Sequence, residues 1–125
     1  MLQIDVMSRI PVYEQIVSQV ERLVAAGVMN PGDQMPSVRG LSMELSVNPN
    51  TIQKAYTELD NRGYVTSVPG KGCFISPDAA SLIMRRGKQR ISEIETLVKA
   101  LYQMGVTREE MHDAVDRAVD AESEH

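Results

Sequence analysis

Between Met35 and Phe74 the chain caps a helix, stops it, restarts another within a few residues and then doubles back as a ribbon with a glycine-rich tip. No other feature constrains the fold as strongly. Ser37 can cap the first of these helices through its hydroxyl, and Val38, Leu41 and Leu45 form the stripe that the helix buries. Ser46-Val47 makes the turn. Asn48 is a strong N-cap, and Pro49 suits the first helical position, where its missing N–H would be unpaired anyway. Ile52, Ala55, Tyr56 and Leu59 then recur at helical spacing until Gly63. Tyr64 to Val68 and Cys73 to Ile75 read as strands joined by Pro69-Gly70-Lys71-Gly72.

The flanks complete the outline. Pro11 opens a helix in which Val12, Ile16, Val20, Leu23 and Val24 keep helical spacing and which Gly27 ends. Pro31-Gly32 marks a turn, and Gln34 and Met35 can form a very short extended segment before Pro36. Pro77-Asp78 looks like a junction. Beyond it, apolar positions from Leu82 to Tyr102 mark one long helix, weakened early by Gly87 and stopped by Gly105. Thr107-Arg-Glu-Glu110 has the form of a capping box opening a last helix, lined on one side by Met111, Val115 and Ala118. The expected fold is mainly α with a small β-hairpin: an N-terminal winged helix-turn-helix over residues 1–76 and a C-terminal two-helix dimerisation tail over residues 77–125.

Composition excludes more than it selects. At 42% hydrophobic residues the chain is not generally disordered. No apolar run has the length of a membrane span, and the first residues lack the basic start of a signal peptide. A single cysteine, Cys73, cannot form an internal disulfide and points to a reducing cytoplasm. Cys73 has no histidine near it in sequence and reads as a small core residue, and His112 with Glu109, Asp113 and Asp116 reads as a solvated acidic face. No catalytic residue, metal site or cofactor is expected. The net charge of −4 argues weakly against a polyanionic partner, because the acids crowd the C-terminal end. What matters is whether Arg39, Lys54 and Lys71 converge on one surface.

In a helix-turn-helix the second helix lies in the major groove and its early residues reach base edges. With Ile52, Ala55, Tyr56 and Leu59 turned inward, Asn50, Thr51, Gln53, Lys54 and Thr57 are left outside. Asparagine and glutamine can pair bidentately with adenine, and a threonine methyl can touch the thymine methyl. Lys54 suits a phosphate. Arg39, in the first turn of the preceding helix, can fork onto a guanine or clamp a phosphate. Lys71, between Gly70 and Gly72, can approach a neighbouring minor groove or backbone. Asn48 and Ser37 each have a second reading as plain helix caps, and Tyr56 reads as core with its hydroxyl available to a phosphate.

These residues resemble the GntR family of bacterial transcription regulators, and among them its short YtrA-type branch. The resemblance is carried by Pro11-Val-Tyr-Glu-Gln-Ile16, Pro31-Gly-Asp-Gln-Met-Pro-Ser-Val-Arg39, Val47-Asn-Pro-Asn-Thr51, Lys54-Ala-Tyr-Thr-Glu-Leu59 and Gly70-Lys-Gly72. It implies a winged helix acting as a repressor. By that likeness Arg39 is the DNA-reading arginine after the Pro-Ser motif, Asn48, Asn50, Thr51 and Gln53 are recognition-helix contacts, and Gly70 is the wing tip. Where many relatives carry an arginine early in the recognition helix this chain has Pro49, which passes base readout to Asn50.

The apolar stripe Ile91, Ile94, Leu97, Val98 and Leu101 is too large for one short following helix to cover, so the tail is expected to pair with its counterpart in a two-fold homodimer on an operator duplex. The stretch after Pro77 is too short for a separate ligand domain of ordinary size, so any small-molecule effector would bind between the tail helices or at the tail–wing junction. The rival reading is a protein-interaction module whose winged helix no longer binds DNA.

Overall fold

The computed structural model describes residues 1–123. Glu124 and His125, which the sequence assigns to the tail, lie outside the described residues. Helices α1 (Val12–Ala25), α2 (Val38–Leu45) and α3 (Pro49–Asn61) are followed by strands β1 (Val65–Val68) and β2 (Gly72–Ile75), then by α4 (Ala79–Gln89), α5 (Ile91–Gln103) and α6 (Arg108–Ser123). The chain divides into two compact units, Met1–Arg86 and the segment starting at Gly87.

In the first unit the apolar stripes expected from periodicity meet in one core. Ile16 and Val20 of α1, Leu41 of α2 and Ile52, Ala55 and Leu59 of α3 are almost wholly enclosed, together with Tyr64, Val65 and Ile75 of the hairpin region. Enclosing each large aliphatic side chain contributes about 1.5–3 kcal/mol relative to leaving it in water. The junction between α2 and α3 forms as the residue types dictate. Ser37 Oγ accepts from the Gly40 N–H at 2.9 Å, and Asn48 Oδ1 accepts from the Asn50 N–H at 2.8 Å. Between the two helices Ser46 takes a left-handed conformation, φ 56°, at the end of α2. A clamp that periodicity does not reveal closes the turn: Ser42 Oγ donates to the Val47 carbonyl at 2.5 Å while the Val47 N–H donates to the Ser42 carbonyl at 3.1 Å.

The hairpin is antiparallel, with Val65 opposite Ile75 and Val68 opposite Gly72. The short segment before Pro36 adds to its edge. Gln34 bridges Phe74, the Met35 N–H donates to the Cys73 carbonyl at 2.7 Å, and the Ile75 N–H donates to the Asp33 carbonyl at 2.8 Å. The two wing strands are thus anchored to the residues that lead into α2.

The long helix expected from Leu82 to Tyr102 is instead two helices. Gly87 weakens the last turn of α4, the Arg90 N–H reaches back only three residues to the Gly87 carbonyl, and Arg90 sits at φ −84°, ψ −3° before α5 begins. The first unit also runs beyond the junction expected at Pro77. Ala79 is buried in its core, and Leu82 and Ile83 pack against it. Leu82 Cδ1 lies 3.1 Å from where a Cβ on Gly63 would stand, so Gly63, at φ 82°, meets both a conformational and a spatial demand.

The second unit holds α5 and α6, neither with a buried residue. Gly105, at φ 100°, separates them. The capping box opens α6 as the pattern predicts: the Thr107 N–H donates to Glu110 Oε1 and the Glu110 N–H to Thr107 Oγ1, both at 3.1 Å.

Candidate nucleic-acid interface

Helix α3 presents Asn50, Gln53, Lys54 and Thr57 to solvent. Gln53 Nε2 lies 3.3 Å from Thr57 Oγ1, which keeps the two on a common face. Thr51 differs from the expectation: it is half-buried, because its flank of α3 is shared with Glu58 and turned from the outward centre of the helix. Asn48 is exposed and its side-chain oxygen serves the cap. Ser37 also caps, a role that uses an acceptor lone pair and not the hydroxyl proton.

Arg39 is exposed in the first turn of α2. Its neighbour Gly40 carries a constraint the sequence did not advertise, since a Cβ there would come within 2.9 Å of the capping Ser37 Oγ. Tyr56 is 7% exposed and its hydroxyl donates to the Pro36 carbonyl at 2.7 Å, tying the middle of α3 to the entrance of α2. That bond occupies the proton expected to be available to a phosphate, and burial pushes the phenol well above its ordinary pKa.

The wing tip is similarly braced. Gln34 Nε2 donates to the Lys71 carbonyl at 3.0 Å, and a Cβ on Gly72, at φ 125°, would fall 2.6 Å from that same Nε2. Glycine at position 72 therefore lets the brace form. Lys71 itself is exposed. A groove of about 560 Å³ separates α3 from the wing, and Ser37, Gln53, Thr57, Gly70, Lys71 and Gly72 all line it. Three of the sequence's candidate elements thus share one concavity: the start of α2, the flank of α3 and the hairpin tip.

Cys73 and Asp60 also line this groove. Burial raises the Cys73 thiol above its usual pKa, so it stays protonated and is a poor nucleophile. Arg62 is committed elsewhere, to Glu58 at 2.8 Å and Glu21 at 3.4 Å, and Tyr64 donates to Glu21 at 3.3 Å. Burial alone would lower the Arg62 pKa, but the bond to Glu58 and the charge of Glu21 outweigh it.

Of the tail positions, Ile94 and Leu97 are 55% and 58% exposed, Ile91 and Val98 are also exposed, and Leu101 is half-buried. Among the described residues no group of three His, Cys, Asp or Glu side chains is placed to hold a metal ion, and no helix is long and apolar enough to cross a membrane.

Residues 12–75 match the family described as bacterial regulatory proteins, gntR family. The HTH-type transcriptional repressor YtrA of Bacillus subtilis is 39% identical over 114 residues, which cover 90% of this chain and 88% of that protein. A transcriptional regulator from Oenococcus oeni, solved by crystallography, superposes with a TM-score of 0.71 at 30% identity over 95% of this chain and 99% of its own. The DNA-binding domain of AraR, crystallised in complex with operator ORX1, gives a TM-score of 0.53 at 27% identity, covering 60% of this chain and 93% of that one.

Proposed function

Because the chain belongs to the GntR family of bacterial regulatory proteins and is a DNA-binding transcription regulator, not an enzyme, we propose that it acts as a dimeric repressor reading a two-fold operator. In this reading residues 1–76 bind DNA and the tail after Pro77 pairs two copies in the cytoplasm through α5, its first turns being held in the core of the DNA-binding unit. Helix α3 enters the major groove, where Asn50 and Gln53 meet base edges and Thr51 lends its methyl. Arg39 forks onto a guanine or a phosphate beside the capped start of α2, with Ser37 and Asn48 adding polar contacts there. Lys54 and the Gly70-Lys71-Gly72 tip take the sugar–phosphate backbone on either side.

The observation that carries this reading is the groove lined by Ser37, Gln53, Thr57 and the wing tip, which brings three elements together, while Arg39, Asn50 and Lys54 stand exposed outside its lining. Pairing of the tails is supported by the exposed Ile91, Ile94, Leu97 and Val98, with the half-buried Leu101 beside them in sequence. Two heads so linked would meet half-sites roughly 34–36 Å apart or a multiple of it. A small-molecule effector, if the regulator takes one, would act at the tail by binding one arrangement of the heads better than another.

Anisotropy titration against a duplex selected from a random pool tests the proposal. Arg39→Ala should cost about 1–3 kcal/mol of binding, and Lys54→Ala should lower the log–log salt slope by about one. Unchanged affinity and slope in both variants would overturn it and turn attention to a protein partner.

A further inference from the structure

We infer that Tyr13 is a positioning residue for DNA binding, its ring holding the Lys54 ammonium beside the nucleic-acid backbone. The inference rests on the functional reading above. Lys54 Nζ lies over the Tyr13 ring at 4.0 Å from the centroid, within the range where the negative face of an aromatic ring attracts a cation. The two residues belong to different helices, so the contact depends on how α1 packs on α3. Arg62, the residue that caps the end of α3, meets Glu21 of α1 further along, and the two contacts are separated by the same stretch of each chain segment. The helices therefore run side by side in the same direction. The first turn of α1 flanks the amino-terminal half of α3, the half that carries Asn50 and Gln53.

A lysine ammonium ends a flexible four-carbon stem and is strongly hydrated, so holding it at one point on a phosphate carries an entropic cost. A ring that already restrains the ammonium removes part of that cost before DNA arrives. The Tyr13 hydroxyl donates to Glu14 Oε1 at 3.2 Å, which leaves the ring face, not the hydroxyl, as the group that meets Lys54.

The test is a double-mutant cycle on the full chain, read by anisotropy against the selected duplex. Tyr13→Leu should weaken binding roughly two- to fivefold, and Tyr13→Phe, which keeps the ring, should bind like the parent. In a Lys54→Ala background Tyr13→Leu should cost nothing further. A Tyr13→Leu loss that persists in that background, or a Tyr13→Phe loss equal to it, would overturn the inference and assign Tyr13 a packing or direct-contact role. A readout independent of these variants is the NMR shift of the Lys54 ε-protons in the parent protein. Upfield displacement by the ring current is expected, and an unperturbed shift would contradict the contact. Failure of the parent to bind any duplex would sink the functional reading itself, whereas additive losses with parental binding intact would sink only the role of Tyr13.

Discussion

Ile16 and Ile52 in the first unit are fully enclosed, whereas Ile94 and Leu97 in the second are more than half exposed, although both pairs lie on amphipathic helices. The difference lies in what each unit has to pack with. The first has three helices, a hairpin and the start of α4 to close around one core. The second has α5 and α6, and α6 is largely polar, with Glu109, Glu110, Asp113, Asp116 and Asp120 along it. One unit is stabilised by its own interior. The other carries an apolar stripe that its own two helices leave open, which is the physical case for a second copy.

Three perturbations should act differently on the two units. The largest effect is expected inside the first unit. Ile52→Ala leaves a cavity in that core and should destabilise the fold by about 2–5 kcal/mol in urea unfolding. A cost near zero would mean that Ile52 does not sit in a closed core. In the second unit Leu97→Asp should do the opposite of a core mutation. The fold of the first unit should survive by circular dichroism, while the dimer dissociation constant from sedimentation equilibrium should rise about thirtyfold. Self-association that ignores a charge at Leu97 would place the dimer surface elsewhere.

The smallest effect concerns the opening of α6. The Thr107 backbone N–H and hydroxyl both donate to Glu110 and hold its carboxyl below the usual carboxylate range. A depressed folded pKa means that the contribution is present above the unfolded value, about 4.3, and is lost as pH falls through the folded one. Amide exchange in the first turn of α6 should quicken about twofold relative to the middle of the helix as the carboxyl becomes protonated, and Glu110→Gln should show no such pH dependence.

What the sequence made legible was local. Ser37, Asn48 and Pro49 act within a few residues of themselves, so their caps could be read from spacing. The buried stripe of α3 could be read because a helix repeats its environment every turn. The tertiary contacts were not legible for the complementary reason. Nothing near Lys54 in sequence points to Tyr13, nothing near Lys71 points to Gln34, and the Tyr56 hydroxyl finds Pro36 only because α2 and α3 fold together. The same limit explains Thr51, which periodicity put outside and neighbouring structure half-covers. It explains the break at Arg90 as well, since apolar spacing runs on across a helix end that Gly87 weakens.

If one face of the first unit reads DNA while the stripe of the second pairs with another copy, a duplex should disturb only the first. Amide chemical-shift mapping on addition of the selected duplex tests it most directly. Changes are expected to concentrate at Ser37 to Gly40, Asn48 to Thr57 and Gly70 to Gly72, with Ile91 to Leu101 little altered. Changes centred on the tail, or scattered without regard to the groove between α3 and the wing, would contradict it.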